Sequence, residues 1–229
     1  VIRAESLEDL LALASGLSNQ PLPLGRRVGI ITNAGGPAVL CTDACEAGAL
    51  VVPELSAQTR ATLSSFLPLA AALSNPVDLI ASATADQYAK GIETLLLADE
   101  IDALIILYMA VTVTDTAEIA HGIMAGIENG RKAGAKAKPV LIGWMAEGDM
   151  DRTFSSQAET IPAYHLPETP ALVLGKAATY AEWRQQPAGM VPDFDDLNLP
   201  AVRTICADAL SRCGAGWLSV EETRSVLSA

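Results

Sequence analysis

The sequence predicts a three-layer α/β/α fold: a doubly wound parallel sheet with helices on both faces, followed by a C-terminal helical extension. Three observations carry this. Strand-like and helix-like segments alternate about five times between residues 25 and 185, and right-handed crossovers turn such alternation into a parallel sheet. The strand cores at 28–32, 103–107 and 139–144 are apolar at consecutive positions, as strands covered on both faces must be. Half of the 229 residues are hydrophobic while only 4% are aromatic, so the core is built from Ala, Leu, Val and Ile. That supply suits helices packed on a sheet better than an all-β sandwich.

Taken in order, the chain opens with a helix over about 6–13. Ser6 can cap it, and Asp9 stands three residues on, close to capping-box spacing. The run 19–23, Asn-Gln-Pro-Leu-Pro, breaks it. The strand at 28–32 passes at once into Asn33-Ala34-Gly35-Gly36-Pro37 and a helix from 38 to about 47. Pro37 suits a first helical turn, where a missing N–H has no intrahelical partner to lose. A strand near 50–52 and a helix from Ser56 to about 67 come next. The segment 74–80, Ser-Asn-Pro-Val-Asp-Leu-Ile, reads as a fixed turn. Thr84 and Gln87 have capping-box spacing for a helix reaching about 98, and Asp115 with Glu118 starts another that runs to about 130. A strand at 139–144, a short helix at 152–158, a brief strand at 163–165 and a helix at 170–184 complete the alternation.

This order makes a flavodoxin-like sheet the first expectation. Residues 186–199, with Pro187, Pro192 and the run Asp193-Phe194-Asp195-Asp196, read as a linker. Two more helices follow at about 200–212 and 220–228, the second capped by Ser219 with Glu222. At roughly 100–200 residues per domain, the length allows one domain with extensions or two small ones. The formal net charge of -12 argues against nucleic-acid binding through a basic face. The most apolar stretch, 103–113, is about half of the ~20 residues a membrane span needs, so no membrane role is expected. Cys41, Cys45, Cys206 and Cys213 form no CxxC pair. Cys41 and Cys45 share one helix face and read as small buried hydrophobes in a reducing compartment. The first residue is Val, and the chain opens inside an amphipathic pattern, so a piece of a longer cytoplasmic protein is expected.

In open α/β sheets ligands bind beyond the carboxyl ends of the strands. Asn33-Ala34-Gly35-Gly36-Pro37 is a strand-to-helix turn there. Free N–H groups and the helix dipole bind anions, and glycines let a phosphate approach. The turn lacks both the GxGxxG spacing and the Lys-Ser/Thr of a P-loop; two glycines also serve a tight turn and close packing. Asn75-Pro76-Val77-Asp78 places a second turn beside it. Asp78 can orient a partner imidazole, or serve a turn or cap. In 108–115 the hydroxyls and N–H groups, Thr112 among them, can receive a phosphoryl group, while capping alone accounts for Thr114 and Asp115. Asn33, Gly35, Gly36, Asn75, Asp78 and Thr112 are therefore the candidate phosphate-binding residues. His121 and His165 have no neighbouring nucleophile pattern and read as packing or surface residues. No His, Cys or Asp cluster has zinc spacing, and no metal site is expected.

The run at 25–40, Gly-Arg-Arg-Val-Gly-Ile-Ile-Thr-Asn-Ala-Gly-Gly-Pro-Ala-Val-Leu, with Thr42-Asp43-Ala44-Cys45-Glu46 behind it, resembles the NDP-forming (ADP-forming) acyl-CoA synthetases, relatives of succinyl-CoA synthetase. Asn75-Pro76-Val77-Asp78-Leu79 follows at the expected place. So do Ile101-Asp102-Ala103-Leu104-Ile105-Ile106, Lys138-Pro139-Val140-Leu141 and Ile161-Pro162-Ala163-Tyr164. The ending Trp217-Leu218-Ser219-Val220-Glu221-Glu222 resembles the opening of that family's ATP-grasp domain.

The resemblance implies the family's second flavodoxin-like CoA-ligase domain at 25–185. It makes 1–24 the end of the preceding domain and a connector, and 186–229 a linker and the start of ATP-grasp. It implies transfer between ATP/ADP and acyl phosphate or acyl-CoA through a phosphohistidine. That histidine lies in a Ser-His-Thr-Gly segment absent from this sequence, so no catalytic residue is expected here. Asn33, Gly35, Gly36, Asn75 and Asp78 match the family's motifs directly. Where succinyl-CoA synthetase has a phosphate-facing Gly-Gly-Ile, this chain reads Ala110-Val111-Thr112. The expected partners are the CoA-binding, phosphohistidine and ATP-grasp domains of the same protein, with a second copy of the chain as a further candidate. ATP/ADP, CoA and Mg are expected for the full-length enzyme and no cofactor for this chain alone. Two other readings stay open: a regulatory domain fused to a protein acetyltransferase, and a free-standing flavodoxin-like module for a phosphate ligand.

Overall fold

The computed structural model describes residues 1–110, 115–135, 137–148, 150–187, 189 and 197–229, with the backbone alone at Asp151 and Arg152. The chain divides into two units, Val1–Gln186 and Pro187–Ala229.

In the first unit the sheet is organised around β1 (Val28–Thr32). β2 (Val77–Asp78) lies on one side of it and β3 (Ala103–Met109) on the other. β4 (Val140–Met145) and β5 (Ala163–Tyr164) continue beyond β3. All are parallel, in the order β2-β1-β3-β4-β5. This is the flavodoxin-like order expected from the alternation, with the chain reversing direction across the sheet between β1 and β3.

Alternate side chains of the strands enter two separate cores. Val28, Ile30, Ala103, Ile105 and Leu107 pack with α1 (Leu7–Asn19), α2 (Gly35–Ala47) and α7 (Thr169–Gln185). Ile31, Leu104, Ile106, Tyr108 and Ile142 pack with α3 (Ala57–Ser64), α4 (Ala85–Leu97) and α5 (Thr116–Lys132). Every residue of β1 is buried, and all of β3 except Met109. Fully burying each such branched side chain contributes about 1.5–3 kcal/mol.

The tightest helix contact is between α4 and α5. A Cβ at Gly122 would lie 2.4 Å from the Ala85 carbonyl oxygen, and one at Gly126 2.5 Å from that of Ala89. Both helices must therefore keep small residues along this seam. Thr84 and Gln87 form the expected capping box on α4, and Asp115 caps α5 by accepting from Ala117 and Glu118.

The elements differ from expectation in four places. The first helix runs on to Asn19, because Ala12, Leu13 and Gly16 bury one face of it. α2 begins at Gly35, so both glycines belong to its first turn. The strand expected near 50–52 is a single bridge between Arg27 and Val51, and the edge position is filled again by β2, from the segment read as a turn. Pro53 has no N–H to continue the first piece. The helix expected over 152–158 is shortened to α6 (Met150–Thr153). Ser156 accepts from the N–H groups of Ala158 and Glu159, a local alternative to helix that serine offers.

The second unit holds α8 (Leu199–Cys213) and α9 (Val220–Leu227). Asn198 caps α8, and Ser219 with Glu222 forms a capping box on α9. Arg212 pairs with Glu222 between the two helices. Trp217, Val220 and Leu227 are exposed. No described helix is long and apolar enough to cross a membrane.

Candidate functional site

The site is built where the β1–β3 ladder ends. β3 presents its odd-numbered residues to β1: the Ala103 N–H donates to the Arg27 carbonyl, whereas the N–H groups of Leu104 and Ala110 donate toward β4. Pairing with β1 stops at Ile31 and Ile106, yet β3 continues to Met109. The carbonyl of Leu107 and both backbone groups of Met109 thus face an opening. Buried backbone groups without partners are rare and costly.

Two side chains supply the partners. Asn33, 2% exposed, donates its Nδ2 to the Met109 carbonyl at 2.9 Å, and its Oδ1 accepts from the Met109 N–H at 2.9 Å. The Tyr88 hydroxyl, from α4, donates to the Leu107 carbonyl at 2.9 Å. Tyr88 is fully buried and stands edge-on to Tyr108, their ring centroids 6.2 Å apart. Burial pushes the Tyr88 phenol well above its ordinary value. The nearby Tyr108 and Asp78 act in the same sense, and the Asn33 N–H acts against them. The hydroxyl is therefore a fixed neutral donor.

Asn75 does a similar thing on the other edge of β1. Its Oδ1 accepts from the Ile30 N–H at 2.9 Å, and its Nδ2 donates to the carbonyls of Val28 (2.9 Å) and Pro53 (3.0 Å). The amide fills the gap in the ladder between the Val51 bridge and β2. All its hydrogens and one lone pair are thereby directed into the fold.

Above these supports stands the start of α2. Ala34 provides no side-chain cap there. The Thr32 hydroxyl receives the Ala34 N–H at 3.1 Å, which fixes the approach to the helix. Gly35 and Gly36 are exposed. A Cβ at Gly36 would meet nothing within 4 Å, and one at Gly35 would meet Asp78 Oδ2 at 3.6 Å. Uncapped N–H groups at a helix start, reinforced by the dipole, favour an anion.

Asp78 faces that start from β2. Its Oδ1 accepts from the Ile80 N–H at 2.9 Å, closing a turn in which Ile80 has φ of 65°. A β-branched residue in the left-handed region is strained, and such strain persists where surrounding structure enforces it. The structure thus brings Asn33, Gly35, Gly36 and Asp78 together and places Asn75 beneath them as a support. Thr112 lies outside the described residues, as do 111–114 altogether. No Lys or Arg occurs in 33–37, 75–83, 108–115 or 145–149, so this crest offers an anion dipoles rather than full positive charges.

His165 is exposed and lines an open depression of about 650 Å³ with Ala110, Thr116, Met145, Ala146 and Glu147. His121 is exposed on α5. Cys41 and Cys45 are fully buried on α2, and the contact with Cys45 together with burial pushes the Cys41 thiol far up, so it is no nucleophile. Among the described residues no group of three or more His, Cys, Asp or Glu is placed to hold a metal ion. Tyr88 escaped the sequence analysis, and Met109, within the 108–115 segment read there as able to receive a phosphoryl group, gives its N–H to Asn33 instead. The capping box located α4 but nothing local signalled that its tyrosine reaches across to β3.

Comparison with known proteins gives the family and supports the fold. Residues 28–189 match the ligase-CoA domain family. The alpha subunit of acetate–CoA ligase [ADP-forming] II of Pyrococcus furiosus is 37% identical over 183 residues, which are 79% of this chain and 38% of that one. The alpha subunit of acetate–CoA ligase [ADP-forming] I from the same organism is 30% identical over 186 residues, 80% of this chain and 39% of that one. Among solved structures, a Pyrococcus horikoshii protein superposes with a TM-score of 0.70 at 35% identity, over 78% of this chain and 41% of the other. The apo dinucleotide-forming acetyl-coenzyme A synthetase 1 of Ca. Korarchaeum cryptofilum does so with 0.70 at 29% identity, over 79% and 39%. The chain thus spans about two fifths of the length of these relatives.

Proposed function

The chain belongs to the ligase-CoA domain family, and from that membership we propose that it is the phosphoryl-handling domain of an ADP-forming acyl-CoA synthetase of the acetate–CoA ligase type. The observation that carries this is the exposed, uncapped start of α2 at the point where the β1–β3 ladder parts, with two glycines in its first turn. The N–H groups of Gly35 and Gly36 hold the phosphoryl group as it moves between a phosphohistidine and an acyl phosphate. Preorganised dipoles of this kind stabilise charge as it develops in transfer.

Each neighbouring residue then has a distinct task. Asn33 fixes the height of the α2 start by its bonds to Met109. Asn75 holds β1 from the outer edge. Asp78 accepts from the imidazole of the incoming histidine and orients the ring; a carboxylate would repel a phosphate dianion held directly against it.

The crest holds no Lys or Arg, so the site is completed by other parts of the same protein: a CoA-binding domain, a phosphohistidine-bearing domain and an ATP-grasp domain. ATP or ADP, CoA and Mg act there. Residues 1–24 are the end of the preceding domain and its connector, and 186–229 are the linker and start of ATP-grasp. The working place of such an enzyme is the cytoplasm.

The test is a comparison of two proteins. The full-length gene product, given ATP, Mg, CoA and a panel of carboxylic acids, is expected to label a histidine and form thioester. This chain alone is expected to form none. Turnover by the isolated chain, or no labelled histidine in the full-length protein, would overturn the reading.

A further inference from the structure

We propose that Tyr88 is a positioning residue for the phosphoryl site, holding the β1–β3 opening at the width at which Asn33 and the α2 start are presented. The inference rests on the reading under Proposed function and adds a residue that lies outside the family motifs and touches no substrate.

Three observations carry it. First, the Leu107 carbonyl faces β1 at the level where β1 has already left the ladder, and the Tyr88 hydroxyl is its partner at 2.9 Å. Second, two residues along β3 the same row of groups is taken by Asn33, at Met109. Tyr88 and Asn33 are thus consecutive fasteners of one split seam, the first coming from α4 and the second from the turn that begins α2. Third, Tyr88 is fixed in place, and its hydroxyl also faces the Asn33 N–H of the same seam. It is fully buried, edge-on to Tyr108, which in turn lies 4.5 Å from Trp144 between ring centroids. α4 is itself locked to α5 by the contact of Ala85 and Ala89 with Gly122 and Gly126. The hydroxyl is therefore aimed by two packed helices, and a shift of β3 at Leu107 passes to Met109 and to the Asn33 amide bonded to it.

Without the hydroxyl, the Leu107 carbonyl loses its partner while the ring still fills its place. The ladder between β3 and β4 remains, so the fold persists but the opening is no longer held. Displacements of about 1 Å at a reacting group slow a step by up to about 100-fold.

The experiment uses the full-length protein carrying Tyr88→Phe. The expected result is histidine labelling from ATP slowed about 10- to 100-fold, with KM for the carboxylic acid and for CoA unchanged and a retained cooperative melt. Incorporation of 3-fluorotyrosine at position 88, which keeps the hydroxyl, should keep the rate. In the wild-type chain the Met109 N–H should exchange with solvent as slowly as the β3–β4 amides, and faster in Tyr88→Phe. A wild-type labelling rate in Tyr88→Phe would overturn the proposal, and so would failure of that variant to fold or fast Met109 exchange in the wild type. Wild-type full-length protein that labels no histidine would overturn the underlying reading and this proposal together, whereas a labelled wild type with an unaffected variant sinks only the role of Tyr88.

Discussion

The side-chain amide of Asn33 and the backbone of Met109 exchange two hydrogen bonds of 2.9 Å, one in each direction. A side chain thus replaces one rung of the ladder where β1 and β3 part. It allows β1 to turn into α2 immediately after Thr32 without stranding the end of β3.

Asn33→Asp tests this pairing: the ionised side chain loses the donor to the Met109 carbonyl and buries a negative charge beside it. The carboxylate still accepts from the Met109 N–H but meets the Met109 carbonyl with an oxygen. Leaving a buried acceptor unsatisfied costs about 1–3 kcal/mol, which in a unit of this size lowers Tm by about 2–4 °C per kcal/mol. A thermal melt of the variant that overlays the wild type would show the pair to be dispensable.

The α4–α5 seam and the α2 start make opposite demands on a methyl group. Gly126→Ala places a Cβ 2.5 Å from the Ala89 carbonyl oxygen, whereas Gly36→Ala places one where nothing lies within 4 Å. Overpacking costs about 1–3 kcal/mol, so Gly126→Ala should lower the denaturation midpoint clearly. Gly36→Ala should change stability by no more than about 1 kcal/mol, the scale of a Gly-to-Ala backbone effect. Equal midpoints for the two variants would refute the helix contact as described.

Acid stability should depend on Asp102. Its bonds to the Arg27 guanidinium, the shortest at 2.7 Å, and to the Arg27 N–H hold its carboxyl below the ordinary value despite partial burial. A carboxyl depressed in the folded state stabilises the fold above its unfolded pKa, about 3.9, and that contribution fades as pH falls through the lower folded value. Urea titrations at pH 7 and near pH 3 should show Asp102→Asn less stable than wild type at the higher pH, with the gap closing at the lower. A gap that stays constant would remove the ion pair as its source.

Both cores lie within residues 1–186. A chain ending at Gln186 should therefore fold cooperatively with a Tm close to that of residues 1–229. Loss of cooperative unfolding on truncation would mean that the helices at 199–227 support the sheet.

Much of this is legible in the sequence. β1, β3 and β4 were legible because continuous burial leaves a continuous apolar run, and the caps at Thr84, Asp115 and Ser219 because capping is local chemistry. β2 was not. Its two residues follow Asn-Pro and carry no strand signal, and they pair only because β1 leaves that edge open. The motif residues Asn33, Gly35 and Gly36 were legible from the turn and its resemblance to known synthetases. What Asn33 and Asn75 bind was not, since each amide answers backbone groups tens of residues away in the chain. Tyr88 was invisible for the same reason.

The central claim is that the α2 start meets a phosphoryl group, and Gly36→Asp in the full-length protein tests it most directly. The aspartate adds negative charge at an exposed position with open space around it, so folding should fall by only about 1 kcal/mol. Phosphohistidine formation and acyl-CoA synthesis should fall about 100- to 1000-fold, the usual consequence of losing one preorganised donor site, with the thermal melt measured alongside. Near-wild-type labelling and synthesis in a normally melting variant would contradict the account and leave the Gly35–Gly36 turn without a phosphoryl role.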